Sequence, residues 1–226
     1  AFGPSAHATN IAANNFFAKG LFDNTGLLTP RWQVVSHIAA ARVAICRLGG
    51  PPTVLKAVGL AAGKGVFVCD SMQEAEAALH ALFIEQRFGD AAQIVLVEEK
   101  IVGVEASFMG AADGLGFLSF ACSVDHKQIY AGDKGPNTGG MGAYSPSFIL
   151  SSEQFARMNE VANRIVRALL AQGREFRGCL YLGLMITPEG KIYILECNAR
   201  PGDPEWQVLM MRLAQPLSPI LMDAAT

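Results

Sequence analysis

Cys179-Leu180-Tyr181-Leu182-Gly183-Leu184-Met185-Ile186, a turn at Pro188-Glu189-Gly190, and Ile192-Tyr193-Ile194-Leu195-Glu196 decide the fold class of this chain. Two apolar runs of strand length on either side of a Pro/Gly turn read as an antiparallel hairpin. Alternation along the second arm puts Glu196 and Asn198 on one face, and Arg200 joins them if the strand continues. The segment from Glu196 to Glu205 then crowds Asn, Arg, Gly, Asp, Pro and Glu together. An edge strand with an exposed polar face needs less chemistry than that. A helix is expected to begin near Pro204.

Upstream, Phe155, Met158, Ala162, Ile165 and Leu169 recur at spacings of three and four between Ser152 and the terminator Gly173. That period is an amphipathic helix. Residues 105–124 read as another hairpin, turning at Asp113-Gly114. Residues 125–146 show no hydrophobic period and read as one long loop, a length that in compact domains goes with function or disorder. Thr53–Ala57 and Val66–Cys69 read as strands around a Gly-rich loop. Ser71-Met72-Gln73-Glu74 is a capping-box pattern opening a helix with Ala75, Leu79 and Leu82. Ile94–Val97 is an apolar strand running into Glu98-Glu99. Near the start, Asn10–Asp23 is rich in Ala and Phe and predicts a helix. Thr29 as cap, Pro30 at the first helical position, and Val35, Ile38, Ala41 and Ile45 on one face predict a second, stopped by Gly49-Gly50-Pro51-Pro52. Hairpins mixed with helices predict an α+β fold, helices packed on antiparallel sheet.

Composition narrows the function classes. Of 226 residues, 51% are hydrophobic and 17% charged, which excludes a disordered or fibrous chain. Lys and Arg number 18 against 20 Asp and Glu, a net −2, so there is no electrostatic footprint for nucleic acid or an acidic membrane. The longest charge-poor stretch, Ala106–Val124, is broken by Gly110, Asp113, Gly114 and Gly116, so no membrane span is expected. Cys46, Cys69, Cys122, Cys179 and Cys197 are scattered and read as buried thiols of a cytoplasmic protein. The four dispersed His form no zinc set. The chain begins Ala1-Phe2-Gly3-Pro4 without Met or a signal-peptide pattern, leaving a trimmed domain and a whole protein both open.

Four segments carry candidate chemistry. Gly59 to Gly65 sits between two strands; its small residues let backbone N–H groups approach phosphates, with Lys64 at the tip and Lys56 on the preceding strand as cations. It lacks the P-loop spacing, and a plain hairpin turn is the alternative. Glu98-Glu99-Lys100-Ile101, with Glu105 beyond, ends a buried strand in carboxylates that need a polar partner, such as a base and ribose, unless the strand end is solvated. Asp125-His126-Lys127 and Gly132 to Gly142, with Asp133, Asn137 and Thr138, offer a ligand loop rather than a linker. Glu196 and Asn198 are oxygen ligands suited to Mg²⁺, which keeps waters and shares phosphates, and Arg200 can stabilise a transferring phosphoryl group.

In this order the segments resemble the ATP-grasp ligases, and within them the phosphoribosylamine–glycine ligase family. The carriers are GLAAGKGV (59–66), FGDAA (88–92), EASF (105–108), DHK (125–127), GPNTGGMGAYSP (135–146) and GDPE (202–205), with FGP (2–4) resembling the entry to the ATP-grasp region. The resemblance covers essentially the whole chain. It implies an ATP-grasp fold of two α+β subdomains holding nucleotide between antiparallel sheets: 1–52 an N-terminal helical part, 53–104 a lid, 105–226 the main subdomain. It implies ATP-dependent joining of glycine to 5-phosphoribosylamine through a glycyl phosphate, giving glycinamide ribonucleotide, ADP and phosphate in purine biosynthesis.

The resemblance also assigns roles. Lys56, Lys64 and Lys127 meet phosphates, with Gly63 and Gly65 in the loop closing over them. Glu98, Glu99 and the Ile101 backbone meet adenine, and Glu105 meets the ribose. Glu196 and Asn198 hold Mg²⁺, or Mn²⁺ in its place, and Arg200 and Lys64 act on the reacting phosphates. Asn137, Thr138, Gly139, Gly140, Asp203, Pro204 and Glu205 border the substrates. Partners are then small molecules and the family's flanking domains, which this chain lacks, with no nucleic acid or membrane. The family pattern is not followed everywhere. Asn15 stands where a phosphate-binding lysine is usual, with Lys19 one turn on; Val58, Gln128, Pro201 and Trp206 also depart from it. These leave a divergent or non-catalytic nucleotide-binding domain, or a sister ligase with another carboxylate and amine, as alternatives.

Overall fold

The computed structural model describes residues 2–59, 65–132 and 134–226, and for Pro136 and Asn137 the backbone alone. Helices α1 (Asn10–Ala13) and α2 (Asn15–Asn24) are separated by Asn14, whose side chain accepts the Phe17 N–H and caps the second. Next come β1 (Trp32–Val35), α3 (Ile38–Arg47), β2 (Thr53–Ala57), β3 (Val66–Cys69), α4 (Met72–Leu79) and β4 (Val95–Glu99). Their strands make one antiparallel sheet in the order β1-β4-β2-β3.

The helix predicted from Thr29-Pro30 begins later. Trp32–Val35 is strand, registered against Glu98–Val95, and α3 starts after His37, whose ring accepts the Ala40 N–H at 3.2 Å. Val34-Val35 is β-branched, and cross-strand pairing with a segment sixty residues away overrides the local start signal. The sheet therefore takes strands from both sides of the expected 52/53 boundary.

One face of this first sheet is dry. Val35, Leu55, Ala57, Cys69, Val95 and Val97 pack against Ala41, Ala44 and Ile45 of α3 and Ala75 and Leu79 of α4. The alternate residues Trp32, Val34, Lys56, Val66, Val68, Leu96 and Glu98 share the other face.

The second sheet is built from β5 (Val104–Asp113), β6 (Phe117–Ser119), β11 (Arg177–Ile186) and β12 (Ile192–Asn198), in the order β12-β11-β5-β6, all antiparallel. Between β6 and β11 lie β7 (Val124–Asp125), β8 (Gln128–Tyr130), β9 (Lys134–Asn137), β10 (Ala143–Tyr144) and α5 (Ser152–Ala171). The four short strands form two ribbons, β7 with β10 and β8 with β9, where the sequence predicted unbroken loop. Strands of two to four residues are too short to print a period.

Phe108, Leu180, Leu182 and Ile194 bury one face of the second sheet against Ile165, Val166 and Leu169 of α5 and Phe22 of α2. The other face carries Glu105, Ser107, Met109, Tyr181, Gly183, Glu196 and Asn198. Helices α6 (Glu205–Met210) and α7 (Leu217–Ala225) cover its Met109–Tyr181 end. The α+β class and the antiparallel layers are as the sequence predicts. Among the described residues no helix is long and apolar enough to cross a membrane.

The long helix is fixed at its start by a reciprocal cap: Ser151 Oγ accepts the Gln154 N–H at 3.1 Å, and Gln154 Oε1 accepts the Ser151 N–H at 2.9 Å. Ser151→Ala leaves an orphan N–H and is expected to cost about 1 kcal/mol, read as a lower urea midpoint at unchanged slope.

Candidate active site

The polar faces of the two sheets meet at Lys56, Glu98 and Leu195. Glu98 has a side chain only 2% exposed and is held by two lysines: Lys19 Nζ lies 3.1 Å from Oε1 and Lys56 Nζ 2.9 Å from Oε2. Burial alone pushes the Glu98 carboxyl up, but Lys56 and Lys19 together outweigh it and hold it below the usual carboxylate range. Lys19 is pulled down to about 8, chiefly by burial, with Glu98 opposing and Lys56 adding to the fall. The Lys19 contact to Oε1 is an ion pair without hydrogen-bond geometry, so Oε1 has no hydrogen-bond partner among the described residues.

The cluster also joins the layers. Lys19 Nζ donates to Thr29 Oγ1 at 2.6 Å, Thr29 donates to the Ile194 carbonyl at 2.8 Å, and Lys56 Nζ reaches the Leu195 carbonyl at 3.4 Å. Lys19 therefore does not stand in for a cation at Asn15, because it is 2% exposed and its ammonium is engaged. Asn15 itself, at the start of α2, donates Nδ2 to the Ala57 carbonyl and its backbone N–H to the Val58 carbonyl, both at 3.4 Å. It thus stands at the end of β2, on the rim of the same cleft.

Glu98 and Glu99 part company, as neighbours on a strand must. Glu99 turns outward and accepts from the Arg31 N–H and Nε at 2.8 and 2.7 Å. Val66 and Val68, on the face of Lys56, are 37% and 49% exposed. They give the cleft an apolar wall that sequence reading missed, since an alternating β-branched strand normally buries those positions.

On the second sheet, Glu196 and Asn198 stand side by side, with Asn198 Nδ2 3.3 Å from Glu196 Oε1. Gly183, opposite Glu196, leaves room for it: a Cβ there would lie 3.0 Å from Glu196 Cγ. The pair fits a hard divalent cation, a carboxylate beside an amide whose oxygen becomes a ligand on rotation, with remaining positions for water and phosphate. Strand β12 ends at Asn198, so Arg200 does not continue that face; it is exposed and donates to the Pro201 carbonyl at 2.8 Å.

Further along the same face, Lys127 Nζ lies 2.9 Å from Glu105 Oε2 and 4.0 Å from Asp125 Oδ2. Burial works against its charge, but Glu105, Tyr181 and Asp125 outweigh it and hold the ammonium above its ordinary range. Glu205 is buried, with Oε1 accepting from Tyr181 Oη at 2.7 Å and from Ser107 Oγ at 3.0 Å. This ties the 202–205 turn to the sheet; sequence reading gave no role to Ser107, although it lies within the EASF stretch, or to Tyr181. Thr138 donates to the Lys127 carbonyl at 2.8 Å and accepts the Gly140 N–H at 3.1 Å. Gly140, at φ +128°, lies so close to Asp203 and Pro204 that a Cβ would run into the Pro204 ring. The 135–142 and 202–205 segments therefore interlock. Gly63, Lys64 and Asp133 lie outside the described residues; Gly65 is at the cleft end of β3, where its carbonyl accepts the Ala57 N–H at 2.9 Å.

A second groove lies elsewhere, between Leu27, Leu28 and the Arg157–Arg164 stretch of α5. Its charged groups lie along one helix face, and it lacks the convergent set of the cleft.

Comparison with known proteins places the chain in a family. Residues 13–206 match the family model described as phosphoribosylglycinamide synthetase, ATP-grasp (A) domain. A phosphoribosylamine–glycine ligase of Xylella fastidiosa is 45% identical over 217 residues, 96% of this chain and 49% of that protein. One from Nostoc is 43% identical over 222 residues, 98% of this chain and 52% of the relative. The chain thus spans about half the length of the curated relatives it matches. The crystal structure of the Thermotoga maritima phosphoribosylamine–glycine ligase superposes with a TM-score of 0.88 at 32% identity, over 99% of this chain and 56% of that one. A biotin carboxylase from Campylobacter jejuni shares the fold at a TM-score of 0.78 and 20% identity, over 98% of this chain and 48% of the other. The match to the family model, over most of the chain, settles membership: the protein belongs to the phosphoribosylglycinamide synthetase ATP-grasp domain family.

Proposed function

We propose that the chain is the nucleotide-binding and phosphoryl-transfer part of a carboxylate–amine ligase that joins glycine to 5-phosphoribosylamine at the expense of ATP. The observation that carries the reading is one cleft: Lys56 on one sheet and the Glu196–Asn198 pair on the other frame it, and Lys56 Nζ approaches the carbonyl of Leu195, next to Glu196, at 3.4 Å. In this reading the base lies against Val66 and Val68, beside the backbone of residues 99–101. Lys56, Lys64 and Lys127 balance phosphate charge, and Glu105 takes the ribose. Arg200 lies near the reacting phosphates, and the interlocked 137–140 and 203–205 segments border the two acceptors. Glu196 and Asn198 are the residues that would hold Mg²⁺ or Mn²⁺, which when bound neutralises phosphate charge.

The reaction balances without an oxidant. The glycine carboxylate takes the γ-phosphoryl group and ADP leaves; the amine then attacks the acyl carbon and phosphate leaves. What the protein supplies is alignment and preorganised charge. The flanking half of the relatives' length and a reducing, cytoplasmic setting belong to the same proposal, the latter supported by five free thiols. ADP release dependent on both glycine and phosphoribosylamine tests it, run beside other carboxylates. Nucleotide binding without turnover on any pair would favour the divergent-domain reading, which the missing cation at Asn15 supports.

That position gives a direct prediction. Asn15→Lys adds a cation at the rim of the cleft and is expected to tighten ATP binding about three- to tenfold by calorimetry, consistent with a charge-assisted contact. Unchanged affinity would mean that residue 15 does not face the phosphates. Lys64→Ala is expected to lower kcat more than it raises the KM for ATP, because a cation that meets the phosphates mainly in the transition state acts on rate. A change in KM alone would contradict this.

A further inference from the structure

Lys19 is a buried lysine that the nucleotide reading leaves without a task. Its ammonium faces Glu98 Oε1 at 3.1 Å and Thr29 Oγ1 at 2.6 Å, while Lys56 faces Glu98 Oε2 at 2.9 Å. Two cations share one carboxylate. The nearby carboxylate Asp23 does not cancel the surplus, since it accepts from Trp32 Nε1 at the surface. A dry surplus of positive charge is costly unless an anion meets it. Lys19 is shut away from the cleft by its own burial. Lys56, 7% exposed and on the sheet face turned to the cleft, is the member through which the surplus can act.

We propose that Lys19 is a positioning residue: it compensates Glu98 from behind, so that Lys56 is not consumed by that carboxylate and can serve the phosphate chain of the nucleotide. The inference rests on the nucleotide reading and deepens it. Without Lys19, both oxygens of Glu98 compete for Lys56 and the cluster carries no surplus charge. With Glu98 also neutral, the surplus returns on Lys56 alone.

Inorganic tripolyphosphate is the probe, because it reads the cationic site without the adenine contacts. Calorimetric titrations at low salt compare the intact chain with Lys19→Met, Glu98→Gln and the double variant, each checked for folding by circular dichroism. Lys19→Met is expected to weaken tripolyphosphate binding at least about tenfold in the native background, and less than about threefold in the Glu98→Gln background. A merely structural Lys19 would lower the melting temperature in both backgrounds without this non-additivity, and equal losses in both would overturn the proposal. Where Lys19→Met alone does not fold, the double variant decides. Binding within about threefold of the native chain supports the proposal, and a loss of tenfold or more overturns it by showing that Lys19 itself serves the anion. A native chain that binds neither tripolyphosphate nor ATP sinks the nucleotide reading and this inference with it. Native binding that Lys19→Met leaves unchanged sinks the inference alone.

Discussion

Glu196→Ala is expected to lower ATP-dependent turnover by about 10³-fold while moving the melting temperature by no more than about 2 °C. Glu196 stands on the open face of the second sheet, and its recorded side-chain partner is the neighbouring Asn198 amide at 3.3 Å. Among the described residues its removal therefore leaves no buried group orphaned, and substitutions of that kind usually stay within about 0.5 kcal/mol. Its proposed work is to share a cation with the phosphates, where several kcal/mol of transition-state stabilisation depend on one carboxylate. Steady-state kinetics across a magnesium titration, beside thermal melts, separate the two effects. Turnover within threefold of the native chain would remove Glu196 from the site.

Glu98→Ala is expected to do the reverse, costing about 3–5 kcal/mol of stability, the usual penalty for leaving a buried charge unpaired. Here two ammonium groups lose their carboxylate, and the links through Thr29 and Leu195 that join the layers lose their centre. The pH dependence follows from Lys19, already drawn down to about 8 by burial against the pull of Glu98. Without Glu98 its folded-state value falls further below that of the unfolded chain. Over that window the unfolded state of the variant binds more protons than the folded one, so stability rises with pH. Native Lys19 sheds its own folded-state proton near pH 8, so the deficit against the native chain should shrink as pH rises from about 6 to about 9 and level off above that. Urea unfolding at four or five pH values measures it, and a deficit constant over that range would deny that the lysines are the source.

Local signals carried much of the architecture into view before any coordinates. The β11–β12 hairpin, the reciprocal cap at Ser151–Gln154 and the α5 stripe from Met158 to Leu169 depend on residues close in sequence, and periodicity reports such elements well. Strand β1 does not: its partner on β4 is remote, so Thr29-Pro30 and the spacing of Val35, Ile38 and Ala41 suggested helix instead. The ribbons within 124–144 were hidden for a related reason, since each strand is held by a partner across a loop. At the site, the side-by-side Glu196 and Asn198 followed from alternation alone. The burial of Lys19 did not, because a lysine on a helix reads as solvated and only the approach of Glu98 from another layer makes it otherwise. Arg200 was placed on the strand face by extending β12 two residues beyond its end.

Hydrogen exchange followed by mass spectrometry, with and without Mg·ATP, tests the central claim most directly, because it asks where on the chain the nucleotide acts. The account predicts added protection at 54–58, 66–68, 95–101 and 194–198, the segments that bring Lys56, Val66, Val68, Glu98 and Glu196 to one cleft. The groove between Leu27–Leu28 and α5 should be unchanged. Protection confined to that groove, or none at any saturating concentration, would contradict the account.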